Sequence, residues 1–408
     1  MKRMHRRLFL QGSALALAAP ALMRHAMAQS GEPIRLGSLP PLSGSGGSYG
    51  ETIADAQRRV VDAVNSAGGL LGRQIVLTVE SSETNPEAAV RAARKLIDVD
   101  RVTAILGTWE SSATIGIMPL AQEANVLQFS MSSSDALFDG DKKGLLFNFQ
   151  PLNAAWGAAL ARLAVERGFK EIAFVGPNND FASSMVESFS GALVAAGGKV
   201  AGEPFLYNPT QTSFRGEVDR IVRADPPAVF VPGYVNDFTA FYRELVRAGY
   251  AGQVFALSFA VGPQFKEVAG DAANGLLHGF PVPPIGKDAY DDYLRLVGLE
   301  PNGQVQNAYG SVGYDQINVL LLAIASAGST DVEALREHIL KVTNGPGERV
   351  TTVEQGVKLL AEGKTINYDG ASSAIDLHAN GQVKSRDFEL YEIRDGKDEP
   401  LLRVTSES

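Results

Sequence analysis

Hydroxyls, aromatic rings and helix starts gather at the ends of the apolar segments of this 408-residue chain. One run, Thr108-Trp109-Glu110-Ser111-Ser112, closes a predicted strand and opens a predicted helix. A second, Ser130-Met131-Ser132-Ser133-Ser134-Asp135, ends the next strand. The first strand ends in Pro40-Pro41-Leu42-Ser43-Gly44 and leads to Tyr49. Further along, Asn178-Asn179-Asp180-Phe181, Gly233-Tyr234 and Ser258-Phe259 hold equivalent places. A serine at a helix N-terminus combines a hydroxyl donor, free backbone N–H groups and the positive end of the helix dipole, which suits a carboxylate. Each such serine could equally be a plain N-cap, and each lone aromatic plain core. The clustering at strand ends favours a ligand.

Catalytic motifs fail when tested. The run Ser43-Gly44-Ser45-Gly46-Gly47-Ser48-Tyr49-Gly50 follows the first strand, but Tyr49 stands where a dinucleotide fingerprint needs its third glycine. Gly363-Lys364-Thr365 resembles the tail of a phosphate loop, yet Lys358 occupies the leading glycine position. Gly370-Ala371-Ser372-Ser373-Ala374 lacks the last glycine of a nucleophile elbow. His278, His338 and His378 stand far apart with no partner motif. The reading is therefore not an enzyme, with no catalytic residue, no metal and no cofactor expected.

These loops must be positioned by alternating strands and helices. Strands are predicted at residues 34–39, 74–80, 102–107 and 126–129, with helices at 50–65, 85–98 and 112–124 between them. Asn85-Pro86 supplies an N-cap followed by proline at the first helical position. After Phe147-Asn148-Phe149-Gln150-Pro151 the alternation restarts and runs to about Leu257. Residues 276–284 read as a second crossing, followed by helices that return to the first half. Residues 375–404 alternate like antiparallel strands, with Ala379-Asn380-Gly381 as the expected hairpin turn. The fold class is α/β, with two doubly wound parallel-sheet lobes.

Composition narrows the partners. The chain has 37 Lys and Arg against 46 Asp and Glu, for a formal charge of −9, which argues against nucleic acid or an anionic membrane surface. With no cysteine, there are no disulfides, thiolate nucleophiles or lipidated cysteine. Residues 1–28 read as an export signal. Lys2, Arg3, Arg6 and Arg7 form a basic start, residues 12–22 a short apolar stretch, and Ala26-Met27-Ala28 a cleavage site. His5-Arg6-Arg7-Leu8-Phe9-Leu10 resembles a twin-arginine signal, so a periplasmic product is expected, with no membrane span.

At this point the chain resembles a known family. Ile34-Arg35-Leu36-Gly37 with Pro41-Leu42-Ser43-Gly44 and Tyr49-Gly50, Asn65-Ser66-Ala67-Gly68-Gly69-Leu70-Leu71-Gly72, Asn179-Asp180-Phe181-Ala182, Ala269 to Gly275, and Asn367-Tyr368-Asp369-Gly370-Ala371-Ser372 carry the likeness. They resemble the type I periplasmic solute-binding proteins of ABC importers, in the leucine/isoleucine/valine-binding subclass. The resemblance implies two lobes joined by a three-segment hinge: residues 33–149 with 281–366, and 150–280 with 367–404. It implies one ligand in the cleft, hinge closure, delivery to a membrane permease and a monomer. Carried over, Ser111 or Ser112 matches the hydroxyl that binds the ligand carboxylate, and Ser132, Ser133 and Ser134 the adjacent loop. Tyr49, Tyr234 and Tyr309 match aromatic cleft positions. The family's Asp-Tyr-Gly is Asp180-Phe181-Ala182 here, losing a phenol, and Phe259 stands where amino-acid binders place a Glu for the ammonium. Trp109 beside Glu110 is more similar to amide- and urea-binding relatives. The ligand is thus a branched-chain or other hydrophobic amino acid, with Glu110 or Asp180 as counter-charge, or an aromatic or aliphatic acid or amide. A ligand-sensing module of the same fold, signalling to a protein partner, remains an alternative; an enzyme is a remote one.

Overall fold

The computed structural model describes residues 31–407, so the export-signal expectation lies outside the described residues. Five short apolar runs form the first sheet: β1 (Ile34–Ser38), β2 (Ile75–Val79), β3 (Ala104–Thr108), β4 (Leu127–Ser130) and β5 (Leu146–Asn148), buried throughout in β3 to β5 and partly exposed in the edge strand β2. All pairs are parallel, in the order β2-β1-β3-β4-β5. Continuous apolar strands of this kind require helices on both faces. These are α1 (Gly47–Ser66), α2 (Pro86–Arg94) and α3 (Ser111–Ala124). Asn85 caps α2 as its type predicts, its Oδ1 accepting from the Ala88 N–H at 2.8 Å.

After Pro151, α4 (Asn153–Glu166) leads into the second sheet. Its parallel strands are β6 (Glu171–Pro177), β7 (Lys199–Val200), β8 (Phe205–Tyr207), β9 (Ala228–Val231), β10 (Gln253–Leu257) and β11 (Leu277–Val282). The connecting helices are α5 (Asp180–Ala195), α6 (Arg215–Ala224), α7 (Val235–Arg247) and α8 (Pro263–Ala269). The chain then returns through α9 (Asp288–Leu296), α10 (Ala308–Ala327), α11 (Val332–Asn344) and α12 (Val353–Ala361); α10 packs along α1. A two-stranded parallel pair, β12 (Glu348–Val350) and β13 (Ile366–Tyr368), precedes the last crossing. Finally β14 (Ser385–Arg394) and β15 (Lys397–Glu407) add antiparallel strands beside β11. The second sheet runs β15-β14-β11-β10-β9-β6-β7, with β8 also on β6.

Two details differ from the sequence reading. The hairpin turn is Asp395-Gly396, both at positive φ, and not Ala379-Asn380-Gly381. Asp-Gly supplies the left-handed pair that a two-residue turn demands. Asn380-Gly381 instead closes a short bridge between Leu377 and Val383. Residues 276–284 contribute a full strand of the second sheet before the chain crosses. Among the described residues, no single helix is long and apolar enough to cross a membrane.

The glycine run after β1 has a packing role. A Cβ on Gly50 would fall 1.9 Å from the Pro41 carbonyl oxygen, and one on Gly46 would strike the Trp109 ring at 2.8 Å. Bare backbone here lets α1 start close against the loop, with Trp109 lying over it.

Candidate functional site

In a doubly wound sheet, ligands sit outside the carboxyl ends of the strands, where the strand order reverses. The first sheet reverses between β1 and β3, and the second between β6 and β9. The loops leaving those four strands, together with those after β4 and β10, meet face to face. Between them lies a small cavity of about 20 Å³ lined by Trp109, Ser111, Met131, Ser133, Trp156, Phe181, Tyr234, Phe259 and Tyr309.

The first lobe supplies the polar part. Glu110 caps α3, its Oε2 accepting from the Ala113 N–H at 2.7 Å, so Ser111 stands at the first turn with its side chain at the cavity. Ser111 Oγ accepts from the N–H groups of Ser133 and Ser134 at 3.4 and 3.2 Å, and its own O–H remains a donor. Met131 and Ser133 follow β4, and Tyr309 projects from the start of α10. Trp109 anchors the apolar part, with ring centroids 5.4 Å from Tyr234, 5.7 Å from Phe259 and 5.7 Å from Tyr309.

The second lobe supplies a ring wall. Phe181 sits in the first turn of α5, Tyr234 caps α7, and Phe259 follows β10. Phe181, Tyr234 and Phe259 lie about 6 Å apart, at 6.2, 5.8 and 5.8 Å between centroids. Asp237 holds the Tyr234 backbone N–H at 2.9 Å and also accepts from the Tyr207 hydroxyl. Burial pushes the Asp237 carboxyl up to about 6, against the hydrogen bonds from Tyr207 and the backbone. Desolvation likewise raises the phenols of Tyr49, to about 12, and of Tyr234 and Tyr309, so all three stay protonated donors.

The walls touch directly. The Tyr49 hydroxyl donates to the Phe259 carbonyl at 2.8 Å. The Asp180 N–H reaches Ser112 Oγ at 3.3 Å, and the Asn153 N–H reaches the Ser133 carbonyl at 2.6 Å. Asp135 takes the Ala154 N–H at 2.9 Å and the Ser184 hydroxyl at 2.9 Å. The cleft is shut.

Of the residues singled out in the sequence, Trp109, Ser111, Ser133, Phe181, Tyr234, Phe259 and Tyr309 are brought together at the cavity. Ser132 is not: its Oγ lies 2.7 Å from Thr114 Oγ1 and donates to the Trp109 carbonyl, turning it into the first lobe. Ser134 Oγ accepts from the Ala136 N–H and shapes its own loop. Ser112 and Tyr49 lie beside the cavity and join the lobes. Glu110 and Asp180 line a separate crevice with Asn179 and Asp237, on the far side of Tyr234. Burial raises the Glu110 carboxyl, opposed by the backbone N–H groups of α3. Sequence reasoning missed Met131 and Trp156. The signal for Trp156 was rarity: the chain has two tryptophans, and both line the cavity. Among the described residues no group of three acidic or histidine side chains could hold a metal ion.

Two doubly wound sheets facing a common cleft define a two-lobed ligand-binding protein. The chain belongs to the periplasmic binding protein family, whose model matches residues 33–398. It is similar to the chemotactic signal transduction system substrate-binding protein BasB of Halobacterium salinarum, at 26% identity over 86% of this chain and 84% of that protein. Its fold is similar to the crystal structure of a leucine binding protein, LivK, from Thermotoga maritima (TM-score 0.74, 22% identity, 91% and 98% of the two chains). It is also similar to a solute binding protein of an ABC transporter from R. palustris in complex with benzoate (TM-score 0.73, 18% identity, 92% and 98%).

Proposed function

We propose that this protein is the periplasmic substrate-binding component of an ABC importer, taking a small, largely apolar carboxylic acid and presenting it to a membrane permease. The observation that carries the reading is the cavity itself: rings from both lobes around two serines, one of them at a helix N-terminus. The enclosed space is only about 20 Å³ in this shut form, so the ligand is small and the rings around the space shift to admit it. The Ser111 hydroxyl and the start of α3 face the carboxylate, while Trp109, Phe181, Tyr234, Phe259 and Tyr309 cover the apolar part. Solved proteins of this fold hold both kinds of candidate by name, a leucine binding protein and a benzoate complex.

The lobes in this reading are residues 33–149 with 281–366 and 150–280 with 367–404. Ligand biases a hinge equilibrium towards the shut form, in which both lobes together form the face a permease recognises. The likeness to a chemotactic substrate-binding protein favours one second reading, in which the same closure is read by a signalling partner. The protein acts as a monomer in either case. The test is a thermal-shift screen of hydrophobic amino acids, aromatic and aliphatic acids and their amides, followed by calorimetry and recovery of the ligand. A ligand at 100 times its Kd stabilises by about 2.7 kcal/mol, so Tm rises by several degrees. No shift with any acid, or a ligand recovered chemically altered, overturns the reading.

A further inference from the structure

The cavity lining includes a donor that no described residue satisfies. Trp156, on the first turn of α4, is 2% exposed and lines the cavity, and its indole Nε1–H has no hydrogen-bond partner among the described residues. A tryptophan donor buried without an acceptor is costly, and buried indoles ordinarily find one. Four rings pack around it, Phe181, Phe259, Phe280 and Phe388, each 6.1–6.2 Å away between centroids.

Two carbonyls of the lining residues are already engaged. The Phe259 carbonyl accepts from Tyr49, and the Ser133 carbonyl from the Asn153 N–H, one helical turn before Trp156. That second bond crosses between the lobes and ties the helix bearing the indole to the loop bearing Ser133. Closure thus brings Trp156 from one lobe and Ser111 and Ser133 from the other to the same small space. The charge inventory is equally one-sided. No Asp or Glu lines the cavity; Glu110 is spent on capping α3 and faces the separate crevice. An ammonium group would be buried there without a counter-charge, at a cost that rules against it.

We propose that the Trp156 indole N–H is a recognition donor to an oxygen of the ligand, and that the ligand is a planar aromatic acid without a basic nitrogen. This deepens the proposed function and rests on it. The ring stacks among Trp109, Phe181, Tyr234 and Phe259, and its oxygens take the donors of Ser111, Ser133 and Trp156. An α-amino acid of the same size satisfies the donors and leaves its ammonium stranded.

The test uses the intact protein with benzoate and L-leucine as probes. With two tryptophans in the chain, the ¹H–¹⁵N indole spectrum holds two signals, assigned with Trp156→Phe and Trp109→Phe. On saturation with benzoate the Trp156 indole proton moves downfield as its hydrogen bond forms, a readout on the wild-type chain that no folding defect can imitate. By calorimetry Trp156→Phe weakens benzoate about ten- to hundredfold, as loss of a hydrogen bond to a charged group does. L-Leucine binds the wild type at least about a hundredfold more weakly than benzoate. A stationary Trp156 signal at saturation, or equal benzoate affinity in Trp156→Phe, overturns the donor role. Leucine binding as tightly as benzoate overturns the ligand class. If neither acid nor any other in the screen binds the wild type, the proposed function falls and this inference with it.

Discussion

The two walls of the cleft are built on opposite plans. On the first-lobe side, the polar groups are held by local geometry: Glu110 caps α3, Ser111 follows it, and the N–H groups of Ser133 and Ser134 converge on one hydroxyl. On the second-lobe side, Phe181, Tyr234 and Phe259 come from three separate loops and meet only as rings. One wall fixes where a charged end goes; the other decides what shape follows it. The contacts between them are hydrogen bonds and the packing of Trp109 on Tyr234 and Phe259, none of which holds either lobe's own sheet together. Rigid donors and a detachable apolar cover suit a protein that must both hold and release.

The change that most directly breaks this division is Phe259→Glu, which puts a carboxylate in the ring wall. It repels an acid and is itself buried, so benzoate affinity falls by at least about 3 kcal/mol, while leucine gains a partner for its ammonium. Calorimetry with both probes checks it. Unchanged selectivity means that Phe259 does not face the ligand.

Next in size is a pH effect beneath the same wall. Asp237 positions Tyr234, and its carboxyl is pushed up to about 6 from the ordinary 3.8. The folded protein therefore holds a proton that the unfolded chain releases. The stability this contributes is full below pH 3.8 and is lost as pH rises through about 6, at most about 3 kcal/mol. In Asp237→Asn the cap persists and that slope vanishes, so urea titrations at pH 4 and pH 7 differ less from each other than in the wild type. An unchanged slope places the titration elsewhere.

On the first-lobe wall, Ser111→Ala removes a donor to the carboxylate and the acceptor of two N–H groups. Benzoate binding weakens by about 1–3 kcal/mol. The amide of the same acid loses less, because a charged acceptor makes the stronger bond. Equal losses for acid and amide shift the carboxylate away from Ser111.

How much of this was legible in the sequence follows the same division. The first sheet and its loops are local: Asn85-Pro86 marks a helix start, and Ser111 lies three residues past the end of β3. The residues of the second wall were legible as strand ends, but nothing near Phe259 says that it meets Phe181 and Tyr234. In the joining region the segments were legible but their polar contacts were not. Asn148, Gln150, Gln382 and Arg386 form a buried polar knot, with Asn148 Nδ2 on Gln382 Oε1 at 2.8 Å and Gln382 Nε2 on the Gln150 carbonyl at 2.9 Å. Nearby, Asp315 is fully buried, accepts from the Ala371 and Ser372 N–H groups at 2.7 Å, and takes the Tyr368 hydroxyl. Partners 53 to 234 residues apart leave no spacing signal. The serine loop misled differently: three consecutive serines cannot all face one way, and sequence does not say which one turns inward.

A smaller effect tests whether the walls are coupled. Tyr49→Phe deletes the hydrogen bond from the first lobe to the Phe259 carbonyl and keeps the ring, which packs 5.0 Å from Tyr309 between centroids. The shut form loses about 1 kcal/mol, and the loss falls on the dissociation rate because the open form never had the bond. Stopped-flow release of benzoate speeds up about fivefold with little change in association. A slower association with unchanged release places the bond in the open form as well.

Ser132→Ala is the control that separates the lobe from the site. The Ser132 hydroxyl bridges Thr114 and the Trp109 carbonyl inside the first lobe, 1% exposed, and reaches no ligand in the proposed arrangement. Removing it leaves one buried acceptor unpaired and costs about 1 kcal/mol of stability, roughly 2–4 °C in Tm for a domain of this size. Benzoate affinity stays within about twofold, since Ser111, Ser133 and the α3 N-terminus keep their places. The contrast with Ser111→Ala is the useful quantity, because both are buried serines in the same loop pair and differ in which side their hydroxyls face. If Ser132→Ala weakens benzoate as much as Ser111→Ala does, the whole serine loop acts as one anion-binding unit. The first wall then recognises its ligand by loop conformation, and the division between a fixed polar wall and an adaptable aromatic one no longer holds.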